Sequence, residues 1–334
     1  MARAQDGIHW HEWRPEGFRL AKKAKKPVLL SVRGRCGVPG PEALLQAPEV
    51  QELVAEGFVP MVIQEDIRPD LALRYGGAPA LVALSSEGLP LPGDTLPEQL
   101  RGLVSDPPRQ EGCLPLGGEG RPPLEAVPDE AVTALKGAYD PVHGGFGGPP
   151  KRPRPALLRF ALSEYHLRED PALLEIVTKT LDVLVDRLRD PATGAFFHHA
   201  ADPDWGGLCR ALTLDVNATL LSAFLEAMAV TGQSRYRHAA EDLVAFLGTL
   251  DLEGLGGWGA EPGDDAAISG WNAAAASALF LAGAALGRPE LRERAARGLD
   301  FLLKRCLEPG RGVARVHDSK ASEPFLLGDL EAVA

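Results

Sequence analysis

The sequence predicts an α/β unit followed by an all-α unit, and three observations carry that prediction. First, short apolar runs bounded by turns, PVLLSV (27–32) and FVPMVIQED (58–66), alternate with helical patterns near the start of the chain. Such runs read as buried strands, and their alternation with helices implies a mainly parallel sheet covered by helices. Second, strand signals cease near residue 125, and helical patterns then follow one another between Gly- and aromatic-rich turns. Third, 334 residues exceed the usual ceiling for one hydrophobic core, so two domains are expected.

The elements follow in order. RPEGFRLAKKAK (14–25) reads as an amphipathic helix and PVLLSV as the first buried strand. A turn carrying Cys36 leads into PEALLQAPEVQELVAEG, a helix with Val50, Leu53 and Val54 on one face. FVPMVIQED is the second strand, RPDLALRYG (68–76) a short helix, and APALVALSSEG (78–88) a third strand and turn. Residues 104–124 are dominated by Gly and Pro and lose periodicity, as a linker between domains does. The expected boundaries are therefore 1–103, 104–124 and 125–334. Helices are expected at 129–138, 154–168, 171–189, 213–231, 234–249, 265–286 and 288–306. Three of the intervening turns share the order acidic residue, glycine, aromatic, a loose repeat of about 50 residues. Helical hairpins with such apolar faces bury them by packing side by side.

Charge and cysteine usage narrow the function classes. Forty-six acidic against 35 basic residues give a net charge of −11. Nucleic acids and anionic membranes attract cationic surfaces, so neither is expected as a main partner. The basic spots Arg33–Arg35 and Lys151, Arg152 and Arg154 are short and read as solvated groups or local ion pairs. The four cysteines (Cys36, Cys113, Cys209, Cys306) lie far apart, which argues against a disulfide framework. Cys209 and Cys306 read as small buried hydrophobes and Cys113 as exposed. The N-terminal residues lack the apolar core of a signal peptide, and no run reaches the roughly 18 apolar residues of a spanning helix. A cytoplasmic location is the expectation.

A family resemblance emerges from these motifs. The strand leading to Cys36, the RPDLALRYG helix and GGAPALVALSSEG follow the order of a thioredoxin-like domain. The upstream GIHWHEWRPEGFRLAKKAKKPVLLS resembles the spermatogenesis-associated protein 20 family, as does Arg68-Pro69-Asp70. AYDPVHGGFGGPPKRPRPALL (138–158), DDAAISGWNAAAASAL (264–279) and ATLLSAFLEAMAVTGQSRYRHAAE (218–241) are similar to that family's helical toroid, of the six-hairpin glycosidase type. The resemblance implies a thioredoxin-like domain followed by an (α/α) hairpin toroid, with Pro79 as the cis-proline facing the thiol. It also shows departures. The family's Cys-x-x-Cys turn reads Cys36-Gly37-Val38-Pro39 here, and of its polar cluster in the middle helix only Asn217 clearly survives. The helical part holds about 210 residues, or roughly four hairpins, fewer than a closed six-hairpin ring needs. An incomplete toroid is therefore expected, either open or completed by another chain, for which a homo-oligomer is one route.

Three functional readings stay open, and whether the protein is an enzyme is left undecided. The first is a degenerate thioredoxin-fold protein that binds or regulates an unknown small molecule or protein. Local dithiol turnover needs a resolving neighbour, and Pro39 cannot resolve a mixed disulfide. The second is monothiol exchange through Cys36. A helix N-terminus and Arg35 would favour its thiolate, with Pro39 and Pro79 shaping the turn. The third is a carbohydrate site in the helical part. Rings of Phe146, Phe196, Trp205, Trp258 and Trp271 suit sugar faces, and Asp140, Asp264 and Asp265 offer carboxylates. Against it, Asp140 begins an Asp-Pro turn, and Asp264 and Asp265 suit a helix cap near Ala266. Trp271 and Asn272 lie one turn inside that helix and are expected to line the inner cavity. No cofactor and no metal is expected. GGFGG (144–148) lacks the Lys-Ser/Thr of a phosphate loop, and His9 and His11 lack further ligands. The flanking Trp10 and Trp13 read as a brace packed on the sheet.

Overall fold

The computed structural model describes residues 8–34, 45, 47–75, 79–92 and 127–317. It divides into two units, residues 1–121 and 122–334. The expected linker, 104–124, lies outside the described residues, as do Cys36 and Cys113.

The first unit contains β1 (His11–Glu12), α1 (Pro15–Ala24), β2 (Val28–Arg33), α2 (Pro48–Gly57), β3 (Val59–Gln64), α3 (Pro69–Arg74) and β4 (Ala80–Leu84). Each helix opens with proline in its first turn, where the missing N–H costs no hydrogen bond. The sheet order is β1-β3-β2-β4. β1 and β2 run parallel to β3, whereas β4 runs antiparallel to β2. The sheet is thus mainly parallel, as expected, with β4 as its one antiparallel strand among the described residues. The six residues of α3 rise about 9 Å, less than the roughly 20 Å of a six-residue strand. Alone, α3 is too short to carry the chain back along the sheet, and β4 returns the opposite way. β1 carries no apolar run and escapes a reading based on hydrophobic pattern.

Strand alternation sorts this core into two faces. Val28, Leu30 and Val32 join Met61, Val82 and Tyr75 on one face, while Leu29 joins Leu81, Val54 and Phe58 on the other. Trp13 packs on the first face, edge-on to Phe18 at 4.8 Å, and Trp10 packs on the second. Both tryptophans therefore act as the brace the sequence suggests.

The second unit holds α4 (Val127–Ala138) and three helical hairpins. These are α5 (Pro155–Arg168) with α6 (Pro171–Val183), α7 (Leu214–Thr231) with α8 (Ser234–Thr249), and α9 (Ser269–Ala285) with α10 (Pro289–Phe301). α6 and α10 each end in one π-helical turn, Leu184–Leu188 and Leu302–Cys306. α7 packs against both α5 and α9, which makes these three the inner helices of an (α/α)-toroid-type arc. Composition explains the choice. α9 contains no charged residue and α7 only Asp215 and Glu226, so both can be covered from several sides. Fully burying one leucine contributes about 1.5–3 kcal/mol, and α7 buries Leu214, Leu220, Leu221 and Leu225. Among the described residues, α7 is long and apolar enough to cross a membrane, and 61% of it is buried within this unit. α9 starts at Ser269 rather than near 265. Ala267–Ile268 instead forms a short strand with Val316–His317, a pairing over long sequence distance that periodicity cannot reveal.

Close approach of helix and loop yields a stability prediction. A Cβ on Gly298 in α10 would stand 2.2 Å from Trp258 Cζ3. Gly298→Ala should destabilise the protein by about 1–3 kcal/mol, read as a lowered urea midpoint. Gly137 in α4 has nothing within 4 Å of such a Cβ. Gly137→Ala should stabilise by about 0.5–1 kcal/mol in the same measurement.

Candidate functional site

The three long loops of the helical unit, 139–154, 189–213 and 251–268, each join an outer helix to the next inner one. In a row of antiparallel hairpins such connections gather at one end. The loops share a hydrogen-bond frame. Gly147, Phe197 and Gly259 donate their N–H to the carbonyls of Ala138, Leu188 and Leu250 at 2.8, 3.0 and 2.8 Å. Inside each frame, Asp140, Asp190 and Leu252 donate to Gly145, Ala195 and Gly257. The loose repeat in the sequence is therefore a repeated turn geometry, with Phe146, Phe196 and Trp258 at equivalent places.

Two asparagines hold these turns. Asn217 Oδ1 accepts from Phe196 N–H at 2.7 Å, and its Nδ2 donates to the carbonyls of Phe196 (3.1 Å) and Thr213 (2.8 Å). Asn272 repeats the pattern on Trp258 N–H (2.8 Å) and the carbonyls of Trp258 (2.9 Å) and Ile268 (3.1 Å). Both asparagines are fully buried. Asn272, expected to line the inner cavity, has its carboxamide engaged with backbone. Trp271, its neighbour, is half-buried against the core. In the first loop Thr180 Oγ1, from α6, takes the N–H of Gly145 at 3.1 Å.

The carboxylates and rings expected to handle a sugar are likewise engaged. Asp140 Oδ1 accepts from the N–H groups of Val142 and His143 at 2.9 and 3.0 Å. Its Oδ2 accepts from Lys151 Nζ at 2.7 Å and lies 3.2 Å from His143 Nδ1. Although burial opposes ionisation, these hydrogen bonds, Lys151 first, hold the Asp140 carboxyl far below the usual carboxylate range. Of the two readings for Lys151, solvated group or local ion pair, the structure shows the ion pair, and it is fully buried: Lys151 donates also to Gly144 O at 3.1 Å, with Trp205 5.9 Å away. Asp264 Oδ1 accepts from Ala266 N–H at 3.0 Å, closing a turn rather than capping the helix, and Asp265 is exposed. Phe146, Phe196, Trp205 and Trp258 are all at most 5% exposed and belong to one core cluster. Trp205 donates Nε1–H to His143 O at 3.0 Å, under a loop whose Gly145 could not carry a Cβ (2.6 Å from Cζ2). The described residues thus show no cleft walled by Trp258, Trp271 and paired carboxylates.

The second loop also carries the His198-His199 pair, which no sequence spacing marks as a site. The two Nδ1 atoms lie 2.8 Å apart, with Arg152 Nη1 3.4 Å from His198 Nδ1. Burial first, then Arg152 and His198, lower His199 to about 4, so it is neutral at pH 7. Cys209 faces His199 across a two-residue strand pair, and one donor atom from each of His198, His199 and Cys209 falls within 4.8 Å. Cys209 is disulfide-bonded. Its sulfur is therefore not a thiolate ligand, and the expectation of a plain buried hydrophobe is corrected. Cys306 is fully buried and outside any disulfide, as expected.

In the first unit Cys36, Arg35 and Pro39 lie outside the described residues. Pro79 is exposed at the entry to β4, and Ala78, which sets its peptide bond, also lies outside them. Arg33, the last residue of β2, lies over Trp10 at 5.0 Å rather than standing free in solvent. Arg68 forks onto Asp70 at 2.9 and 2.6 Å, so the Arg-Pro-Asp motif organises the start of α3. His9 and His11 stack edge-on at 5.0 Å, and no candidate metal cluster among the described residues includes them.

Comparison with known proteins agrees with this architecture. The family Thioredox_DsbH, described as "Protein of unknown function, DUF255", matches residues 1–99. Human spermatogenesis-associated protein 20 is 24% identical over 314 residues, covering 79% of this chain and 40% of that protein. The rat protein is 23% identical over 296 residues, covering 74% and 37%. The chain thus spans about 40% of the length of the curated relatives it matches. Among solved structures, a sugar epimerase from a ruminal bacterium superposes with a TM-score of 0.52 at 14% identity, covering 62% of this chain and 60% of that one. Cellobiose 2-epimerase from Bacillus thermoamylovorans gives 0.52 at 12% identity, covering 58% and 57%. The Spirochaeta thermophila enzyme gives 0.50 at 19% identity, covering 61% and 60%. These likenesses show the toroid-type fold of the helical unit.

Two predictions arise from this geometry. Asn272→Ala leaves the buried Trp258 N–H and carbonyl without their partner, at about 1–3 kcal/mol per group. Its urea midpoint should fall well below that of a surface control such as Ser277→Ala. The second concerns pH. His199 titrates lower in the folded protein than in the unfolded chain, so below pH 6.5 the unfolded chain takes up the proton first. Stability contributed by this site is complete above pH 6.5 and declines as pH falls toward 4. His199→Gln should flatten the stability curve over that window in denaturant titrations, and an unchanged slope would refute the assignment.

Proposed function

Starting from a chain that resembles the spermatogenesis-associated protein 20 family in both units, we propose that it is a non-catalytic binding or regulatory protein. One observation carries this reading. The groups that would perform sugar chemistry in the helical unit are already engaged in holding its loops: Asp140 by Lys151, Asp264 by Ala266 N–H, and Asn217 and Asn272 by backbone. Glycoside hydrolysis needs two carboxylates about 5–9.5 Å apart with pKa values pushed in opposite directions. A carboxylate held ionised by a buried ammonium is unsuited to act as the acid. The first unit supports the same reading, because Pro39 replaces the residue that would resolve a mixed disulfide beside Cys36. The activities named for the toroid structures above belong to those proteins and are not assigned to this one.

One observation favours a second reading, thiol–disulfide exchange through Cys36. Cys209 is disulfide-bonded, so sulfur pairing is part of this chain's chemistry. Exchange would need Cys36 as attacking thiolate and a remote cysteine as resolver.

Peptide mapping under non-reducing conditions separates the two. The binding reading expects Cys36 to be recovered outside any disulfide, with alkylation kinetics like those of free cysteine and no disulfide-reductase turnover with dithiothreitol. Recovery of Cys36 in a disulfide with Cys209, together with rapid alkylation of reduced Cys36 at pH 6, would overturn it in favour of exchange.

A further inference from the structure

We propose that the third loop and α10 form a binding pocket for a small organic anion, one bearing a carboxylate or phosphate on an apolar or aromatic body. This deepens the binding reading and rests on it only in that the ligand is held rather than converted. The cavity measures about 550 Å³ and lies between residues 251–257 and the face of α10 with its π-helical extension. That volume is in the range of sites for small molecules.

The pocket has an apolar floor and a cationic wall. Leu252 and Leu255 of the loop and Phe301 of α10 supply the apolar surface. Arg294, Arg297, Lys304 and Arg305 line the same cavity, spaced so that they share one helical face. Four cations on one pocket wall stand out in a chain of net charge −11. Two are neutralised locally, Arg294 by Asp251 and Lys304 by Asp300 at 2.7 Å. Arg297 and Arg305 are exposed and have no carboxylate partner among the described residues. A guanidinium presents its N–H groups as a planar fork that matches carboxylate and phosphate oxygens.

Two further features bear on a ligand here. Arg294 Nε–H is buried without an acceptor among the described residues, while the same side chain lies over Trp258 at 5.5 Å. That N–H is sealed from solvent and is not itself offered to a ligand; bonded to Leu247 O and Asp251, the Arg294 side chain is a fixed part of the pocket wall. Gly256, at φ +90°, brings the loop against α10: a Cβ there would stand 3.2 Å from Arg297 O. Only glycine adopts that backbone readily, and it lets the loop close over Phe301 and the arginines. The acidic groups Asp251, Glu253 and Asp300 also line the cavity, which disfavours a densely charged polyanion and favours a singly or doubly charged ligand.

Isothermal titration of the full chain at low salt tests the proposal, with phenyl phosphate, benzoate, inorganic phosphate and phenol as probes. Saturable binding of phenyl phosphate or benzoate is expected, at least tenfold tighter than phenol and than inorganic phosphate. The tighter of the two aromatic probes identifies the head group. Arg297→Gln/Arg305→Gln, both at exposed positions, should weaken it tenfold or more with an unchanged Tm, and Leu255→Asp should do the same from the loop side. Absence of binding by both aromatic anions, equal affinity in the double variant, or phenol binding as tightly as the anions would each overturn the proposal. Those outcomes leave the non-catalytic reading intact, whereas chemical turnover of a bound probe, followed by NMR, would sink that reading and leave the pocket standing.

Discussion

Two buried carboxamides decide where two of the three long loops of the helical unit lie. Asn217 and Asn272 each accept one backbone N–H and return two N–H bonds to carbonyls, at Phe196 and Trp258 respectively. Without them the turns would leave buried backbone groups unpaired, which the protein interior penalises more than it rewards any single contact. The ring of Phe196 then packs at 5.2 Å from Phe224, and Trp258 settles against Gly298. In the second and third loops, turn position and the placing of the aromatic ring go with one repeated interaction.

The same constraint bears on function. A toroid-type fold offers its loop end for chemistry when carboxylates there are exposed and aromatic rings wall a cleft. Here Lys151 enters the first loop fully buried and fixes Asp140, while the rings point into the core. A buried ammonium paired with a carboxylate defines geometry, and breaking either partner leaves an uncompensated charge. The chemistry-bearing residue types are present, but their electrostatic surroundings make them architectural. Among the described residues, charge without a carboxylate partner appears elsewhere, on α10 and its π-helical extension, where Arg297 and Arg305 line a pocket.

Much of this was legible beforehand. Strand runs at 27–32 and 58–66 fell within a residue or two of β2 and β3, and the seven helical patterns of the second half are all present. Residues 234–249 match α8 end to end, because Gly232 stops the preceding helix in the left-handed conformation. The acidic–Gly–aromatic repeat was visible and proved to be a shared turn. β1, the antiparallel direction of β4 and the strand Ala267–Ile268 were not visible, since each depends on pairing with distant residues. An ion pair for Lys151 was among the readings its sequence allows, but the full burial of that pair was not visible, since Asp140 and the covering Trp205 come from other parts of the chain. His198 and His199 escape a reading by pattern because two adjacent histidines carry no ligand spacing of their own.

The sequence by itself determined the order of units, the helical patterns of the second half and the presence of Pro39 three residues after Cys36, because apolar periodicity and residue identity are properties of the chain. Only the tertiary structure decided which polar groups were available for chemistry. An aspartate, asparagine or lysine has the same formula in a site and in a turn. What separates the two is which donors, acceptors and charges fold around it, and those come from parts of the chain that local pattern does not connect.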